Sequence, residues 1–335
     1  MPPNSLETPI TSYHLYWLAR TNHLTHQALE YALRRIGTVP DIHAWRKFID
    51  NLLLLLGTAL LLVGIIFFFA YNWADMNHLV KFGVLQAGIL GIALFVSWRG
   101  LEFISGQSGL LAAATLVGAL LAVYGQTYQT GADAYNLFLS WAILIIPWVL
   151  ISAFAPLWLL LLVLFNLSLI LYWEQVINPY VPSTELFLWL FLLNGTTMLA
   201  WEYAHAQGVT WLQNHWLRVI IFSATLAVLI IPTLQAIIDL DHGRYRNSLF
   251  AVAVLLYVAV TALALWYYRT RRHDLLLLAA CLLGMLIVIT TLVAELLPLQ
   301  EAFSWLFIAL IVIGQATFAT KWLLQTAKTW QLETE

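Results

Sequence analysis

Long apolar runs separated by short polar segments are the feature that most constrains this chain. From Asn51 onward each run is about 18 to 24 residues long, the length at which an α-helix crosses the hydrocarbon core of a bilayer. The sequence therefore predicts an all-α, polytopic transmembrane helix bundle of about ten spans. The predicted spans cover residues 51–72, 79–98, 107–124, 136–154, 156–173, 186–203, 217–238, 248–268, 275–294 and 302–323.

The composition excludes several classes of protein. Hydrophobic residues make up 62% of the 335 residues and charged residues 10%, so a soluble fold would lack the polar surface to cover itself. A net charge of −2 without a basic patch excludes nucleic acid as a partner. The single cysteine, Cys281, lies in an apolar run and is expected to serve only in packing.

Three regions are predicted along the chain. Residues 1–49 lack the apolar core of a signal peptide and are expected to form a cytoplasmic amphipathic helical region, which rests on the membrane or recruits a partner. Residues 50–324 form the transmembrane bundle, and residues 325–335 form a cytoplasmic tail.

In the first region, Thr21 or Asn22 is expected to cap a helix that ends before Gly37. His23 and His26 could share a helix face, but two nitrogens do not complete a tetrahedral site. We therefore predict no metal and no cofactor.

The distribution of basic residues predicts the orientation. With the N-terminus inside, all of the 15 basic residues except Lys81, Arg244 and Arg246 fall on the cytoplasmic side. This agrees with the rule that lysine and arginine collect there. We expect a bacterial cytoplasmic (inner) membrane protein with both termini cytoplasmic and the lipid bilayer as its surroundings.

Polar residues gather after the first and third spans, in FAYNWADMNH and YGQTYQTGADAYN. Both loops face outward in this orientation, so they could converge as an outer mouth that binds a polar or cationic ligand, a lipid headgroup or a partner protein. The alternative is that asparagine and aspartate cap helix ends and Gly131 closes a turn. Capping explains Gln126 and Tyr128 less well. The expected mouth residues are Asn72, Trp73, Asp75, Gln126, Tyr128, Asp133 and Asn136.

The same two passages resemble the predicted bacterial inner-membrane proteins of the domain of unknown function 2157 family. The resemblance covers roughly residues 10–175 and is carried by Ala70, Asn72 and Trp73 at the end of the first span, and by the Gly125, Gln126, Tyr128 segment. Asp133 and an aromatic span with Trp141 follow, although the family usually has a glycine directly before the aspartate. The resemblance implies a membrane location and supplies no activity.

Enzymatic and transport functions find little support in the sequence. The chain has no nucleotide-binding loop and no protease motif, so we expect no catalytic residues, although Asp133, or Asp239 with Asp241, could act as a base in a transferase. Two inverted five-helix halves would suit a small-molecule exporter, but no repeat supports them. A structural scaffold without a ligand is the third alternative.

Polar residues within the spans are amides and hydroxyls. We expect them to bond neighbouring helices, as such residues do in lipid. Charged residues at run ends, including Asp50, Glu202 and Lys321, are expected to snorkel to the interface. The mid-span polar residues are Gln86, Thr115, Asn166, Asn194, Thr196, Thr197 and Gln315.

Overall fold

The computed structural model describes most of the chain, with gaps mainly at the termini and between helices. The described residues are 12–21, 24–35, 42–71, 76–129, 131, 133–177, 183–209, 215–242, 248–297 and 302–333.

Within these residues the protein is helical, as predicted. The helices are α1 (Ser12–Arg20), α2 (His26–Arg35), α3 (Ile42–Tyr71), α4 (His78–Arg99), α5 (Ile104–Tyr128), α6 (Ala134–Ser152), α7 (Ala155–Tyr172), α8 (Thr184–Ala206), α9 (His215–His242), α10 (Ser248–Thr270), α11 (Leu275–Leu296) and α12 (Ala302–Glu333), with a π-helical turn at Trp173–Ile177.

A long helix occupies each of the ten predicted runs, and the polytopic helical class is confirmed. In the described part of the chain nine of these helices are long and apolar enough to cross a membrane. The exception is α8, which has 23 residues. Asn194 and Glu202 lie within it and lower its average hydropathy, so its span stays a prediction.

Contacts divide the chain into two units within α5, at Leu116. In the first unit, α1 and α2 bury Leu15 and Leu33. Thr25 accepts the backbone N–H of Ala28 at 3.3 Å and begins α2. The predicted cap at Thr21 is wrong, because the Thr21 hydroxyl donates to the carbonyl of Trp17 at the end of α1; Asn22 lies outside the described residues.

Helices α4 and α5 are joined by a tight turn in this first unit. Gly100 adopts a φ of 82°, a left-handed conformation that favours glycine. Beyond the turn, Gly109 packs closely on the Val96 side chain. The small side chains of α5 are buried from Ala112 to Ala114, so this helix presents a smooth surface for packing.

The second unit contains the larger core, in which α9 contributes the most deeply buried side chains. Leu217 and Leu229 are fully buried, and so are Leu277 and Cys281 of α11, which agrees with the packing role expected of the cysteine. Helices α7, α8 and α10 add the other side chains of this core: Ala155, Leu162, Met198, Trp201, Ala264 and Tyr268.

A tight helical hairpin joins α6 to α7. Ala153 takes a left-handed φ of 44°, and Pro156 lies in the first turn of α7, where its missing N–H costs nothing. The turn between the fourth and fifth predicted spans lies at Ala153 and Phe154, and Ala155 and Pro156 begin α7.

One pair of mid-span amides bonds between helices as expected. Asn166 of α7 and Asn194 of α8 exchange side-chain hydrogen bonds of 3.2 Å and 2.6 Å, and each also donates to a carbonyl four residues earlier in its own helix. This double pairing stabilises the contact of α7 with α8, because each side-chain oxygen accepts from the other amide and would lack that donor in lipid.

The expectation of interhelical bonds is wrong for the mid-span threonines. Thr115, Thr196 and Thr197 donate to carbonyls of their own helices, because a threonine hydroxyl reaches the carbonyl four residues back. The buried amide atoms of Gln315 have no hydrogen-bond partner among the described residues.

Candidate functional site

Three of the residues predicted to form the outer mouth, Asn72, Trp73 and Asp75, lie outside the described residues. The other four lie at the junction of α5 and α6, in the second unit. Gln126 and Tyr128 are exposed in the last turns of α5, and Tyr128 packs its ring against Tyr124 with centroids 4.9 Å apart.

Asp133 is the N-cap residue of α6, but its side chain makes no capping hydrogen bond. Asn136 is half-buried, and its backbone N–H donates to the Asp133 carbonyl at 3.0 Å. Gly131 has a φ of 60°, so glycine does close this turn, as the capping alternative predicts. The four described residues lie at one helix junction, where the Asp133 side chain is exposed and makes no capping hydrogen bond.

A charged cluster lies at the opposite end of the same unit, where α8 ends, α9 begins and α10 turns into α11. It contains two acids, two arginines and two histidines: Glu202, Asp274, Arg218, Arg272, His205 and His215. The formal charges of the acids and arginines cancel, which allows the cluster to be largely buried.

The turn from α10 to α11 places Arg272 and Asp274 in this cluster. His273 takes a left-handed φ of 50°, which reverses the chain over a few residues. The Asp274 backbone N–H then donates to the Tyr268 carbonyl at 3.2 Å. From this one short turn, Arg272 contacts Glu202 of α8 and Asp274 contacts Arg218 of α9.

Asp274 joins the N-terminus of α11 to that of α9. Its Oδ1 accepts the backbone N–H groups of Leu276 and Leu277 at 3.2 Å and 3.3 Å, as an N-cap does. Its Oδ2 accepts from Arg218 Nη2 at 2.6 Å and lies 2.8 Å from His215 Nε2. The Asp274 side chain is 4% exposed and that of Arg218 11%, so solvent screens this ion pair only weakly.

Glu202 is the acid that connects α8 to α10. Its Oε1 accepts from the Tyr268 hydroxyl at 3.2 Å, and Arg218 Nη1 lies 4.0 Å from the same oxygen. Arg272 Nη2 lies 3.3 Å from Oε2, but the geometry is not that of a hydrogen bond. Oε2 is therefore buried without a hydrogen-bond donor among the described residues.

The other nitrogens of Arg272 have acceptors of their own. Nη1 donates to His205 Nδ1 at 2.9 Å, and Nε donates to the Tyr267 hydroxyl at 3.3 Å. That bond to Tyr267 is the main reason that the pKa of Arg272 is raised. Burial, followed by the positive charges of Arg272 and Arg218, lowers the pKa of His205. The lowered pKa favours the neutral imidazole, whose Nδ1 can accept the hydrogen bond that Arg272 donates.

An apolar cavity of about 490 Å³ extends from Glu202 along α8, between α8, α9 and α10. This volume is within the range of pockets that hold small ligands. Its described lining consists of Phe191, Leu192, Gly195, Thr196, Met198, Leu199, Glu202, Phe222, Thr225, Val260, Leu263, Ala264, Tyr267 and Tyr268. Leu192, Leu199 and Leu263 are each more than half exposed, so the cavity opens sideways to the surroundings of the helices.

A second apolar cavity, of about 660 Å³, lies on the other side of α8 against α6 and α7. It includes Tyr135 and Tyr172, whose rings meet edge to face with centroids 5.1 Å apart. Leu192 and Thr196 line both cavities. The two cavities therefore adjoin near the middle of α8 and together follow most of its length.

Sequence reasoning missed the charged cluster because it treated Glu202 as a snorkelling residue. Asp274 and Glu202 are separated in sequence from their partners Arg218 and Tyr268 by 56 and 66 positions. One signal was available: Glu202 and Asp274 are acids at run ends that the orientation assigns to the basic side. Acids there need arginine partners, and each has one.

Residues 17–158 match the family model DUF2157. Its description is "Predicted membrane protein (DUF2157)". The match confirms that the resemblance lies in the first half of the chain, and it includes the Gly125, Gln126, Tyr128 segment and Asp133. No curated protein and no solved structure matches the chain. Helices α8 to α12, with the charged cluster, lie beyond the matched segment.

The segment that matches the family model contains one contact that accounts for the position of an aromatic residue in α6. A Cβ built on Gly118 of α5 would meet the ring of Trp141 at 2.5 Å, so any larger residue at Gly118 displaces that ring. Phe138 stacks beside Trp141 with centroids 6.3 Å apart. The tryptophan therefore serves in packing α6 on the second half of α5.

Proposed function

We propose that this membrane protein binds a membrane lipid, with an acyl chain in the cavity between α8, α9 and α10 and the headgroup at the charged cluster. The observation that carries the proposal is the form of this cavity. It is apolar along its length, it opens sideways, and it ends at Glu202, Tyr267 and Tyr268.

The lining supports an acyl chain rather than a polar solute. Its threonines use their hydroxyls on their own helix: Thr196 donates to the Leu192 carbonyl and Thr225 to the Ile221 carbonyl. A sugar or nucleotide in the cavity would lose its hydration without gaining partners, which is costly. An acyl chain has no such requirement and reaches the cavity directly from the bilayer.

The proposal is tested by filling the cavity from its wall. Gly195 lines the cavity, and a Cβ there would meet only the Phe191 ring, at an ordinary contact distance of 3.5 Å. Gly195→Leu therefore places a branched side chain where the acyl chain would lie. Gly314→Leu on α12 is the matched control, since a Cβ there meets nothing within 4 Å.

Lipids that stay bound to the purified protein are counted by native mass spectrometry. We expect wild type and Gly314→Leu to retain lipid and Gly195→Leu to lose at least one bound molecule per chain. Equal retention by all three proteins would refute lipid binding in this cavity.

The orientation is also a proposal: an inner-membrane location with both termini cytoplasmic. The basic residues at the α10 end, including Arg269 and Arg271, are exposed and support placing the charged cluster at the cytoplasmic leaflet. Fusing a reporter that is active only in the periplasm to the C-terminus and, separately, to the loop before α8 tests the orientation. Activity of the C-terminal fusion would contradict it.

The outer mouth remains a proposal too, for a polar ligand, a headgroup or a partner protein. The exposed carboxylate of Asp133, which makes no cap bond, supports it. A ligand that raises the melting temperature of wild type but not of Gln126→Ala/Asp133→Ala would establish a site there. A double variant with a lower melting temperature, together with no ligand that shifts the melting temperature of wild type, would indicate that these residues only stabilise the helix junction.

Transport is a second candidate function, favoured by the adjoining cavities on the two faces of α8. Since Leu192 and Thr196 line both, a hydrophobic molecule could pass along this helix. Reconstituted vesicles containing a fluorescent phospholipid in one leaflet test this: faster loss from that leaflet with wild type than with Gly195→Leu supports transport. Equal rates would limit the function to binding.

A further inference from the structure

We infer that the charged end of the cavity binds the primary ammonium group of an aminophospholipid headgroup through Glu202; this inference rests on the proposed lipid binding. Glu202 is the only charged residue among the described residues that line the cavity. The arginines of the charged cluster lie behind it.

The hydrogen bonds at this end of the cavity favour a donor. Oε2 of Glu202 is buried and accepts no hydrogen bond among the described residues, and its one charged neighbour there, Arg272 Nη2, lies 3.3 Å away without hydrogen-bond geometry. A primary ammonium carries three N–H donors and a positive charge. The ammonium group would donate a charge-assisted hydrogen bond to Oε2, and such bonds are stronger than those between neutral groups.

Neither arginine of the charged cluster is among the described residues that line the cavity, so neither offers an anionic group an equivalent site on this side. Arg272 is committed to Glu202, His205 and Tyr267; Arg218 binds Asp274 through Nη2, and its Nε is buried without an acceptor among the described residues. A phosphate that entered the cavity first would meet the Glu202 carboxylate, and like charges repel.

The position of Glu202 also suits a headgroup that carries a phosphate next to the ammonium. The Tyr267 hydroxyl accepts from Arg272 and keeps its own hydrogen to donate to a phosphate oxygen. Exposed Arg269 and Arg271 follow on the same helix end, and Arg269 lies over the Trp322 ring at 5.3 Å. Glu202 itself lies near the end of α8, which ends at Ala206.

The test compares three lipids with identical acyl chains on wild-type protein in detergent. Phosphatidylethanolamine has the primary ammonium, phosphatidylcholine has a cation without N–H donors, and phosphatidylglycerol has no cation. Native mass spectrometry of a titration gives a dissociation constant for each. We expect phosphatidylethanolamine to bind about tenfold more tightly than phosphatidylglycerol, the ratio that one charge-assisted hydrogen bond supports, with phosphatidylcholine between them.

Two variants assign the preference to Glu202. Glu202→Gln retains an oxygen for Tyr268 but loses the charge, and we expect the three lipids to bind equally. Glu185→Gln, an exposed position in the first turn of the same helix, should keep the preference.

Equal binding of the three lipids by wild type overturns the inference, and so does a preference that survives in folded Glu202→Gln. If Glu202→Gln does not fold, the comparison of lipids on wild type decides alone. Lipid retention that Gly195→Leu abolishes, without headgroup preference, would leave the proposed function standing and remove only this inference.

Discussion

Replacing Asp274 should destabilise the protein more than replacing any exposed acid, because this side chain has two separate tasks. Its Oδ1 caps α11 through Leu276 and Leu277, and its Oδ2 binds Arg218 at 2.6 Å. Both tasks are performed by a buried carboxylate. The third contact, His215, has a side chain 46% exposed and adds little because solvent screens it.

The expected magnitude follows from these contacts. Loss of an N-cap costs about 1 kcal/mol, and leaving a buried charge without its partner costs about 3–5 kcal/mol. Asp274→Ala should therefore lower the free energy of unfolding by about 4–6 kcal/mol. Asp274→Asn keeps the capping oxygen and loses the charge, so it should be about 1 kcal/mol more stable than Asp274→Ala.

The assay is reversible unfolding in mixed micelles with increasing SDS, followed by tryptophan fluorescence. Asp133→Ala is the matched control, because Asp133 is also an N-cap residue but makes no capping bond and is exposed. It should change stability by less than about 0.5 kcal/mol, as substitutions on an open surface do. Losses below 1 kcal/mol for both Asp274 variants would refute the reasoning that the charged cluster holds α9 and α11 together.

Three further predictions concern other buried groups. Asn166→Leu should lower the free energy of unfolding by about 1 kcal/mol, because it leaves Asn194 without its partner. The double variant Asn166→Leu/Asn194→Leu should lose less stability than the two single variants added together. Additive losses would contradict the pairing. The folded state lowers the pKa of His205 from 6.5, so the unfolded chain binds more protons in acid. The free energy of unfolding should therefore fall as the pH drops from 7.5 to 5.5. His205→Gln should weaken this pH dependence, and an unchanged pH dependence would show that another group causes it. Cys281 is fully buried, so a maleimide should label it only on unfolding, and rapid labelling of the folded protein would show that α11 is packed differently.

The helices were predictable because their causes are local. Runs of apolar residues set the lengths of the spans, and Pro156 marks the start of α7 through its own geometry. The sequence also indicated that Asn166 and Asn194 need partners, since a polar amide in lipid seeks one. It could not indicate that they partner each other, because that depends on how α7 and α8 pack.

The ends of helices were less predictable. Helix α3 begins at Ile42 and α12 continues to Glu333, well outside the apolar runs, because helix propensity continues where hydropathy stops. The π-helical turn after α7 begins at Trp173 and has no signature in hydropathy.

The charged cluster was not predictable from single positions. Glu202 near the end of a run has the same local pattern as a residue that reaches for water, and only the fold brings Arg272 to 3.3 Å from it. The cavity beside it depends on the separation of α8 from α10 along Leu199 and Leu263. No periodicity in the sequence sets that separation.

The most direct test of the account is a cryo-electron microscopy structure of wild type in nanodiscs that contain phosphatidylethanolamine. We predict elongated density along α8, between Gly195 and Leu263, ending at the Glu202 carboxylate. A cavity closed by direct packing of α8 on α10, or one that holds no density while the surrounding side chains are well defined, would contradict lipid binding at this site.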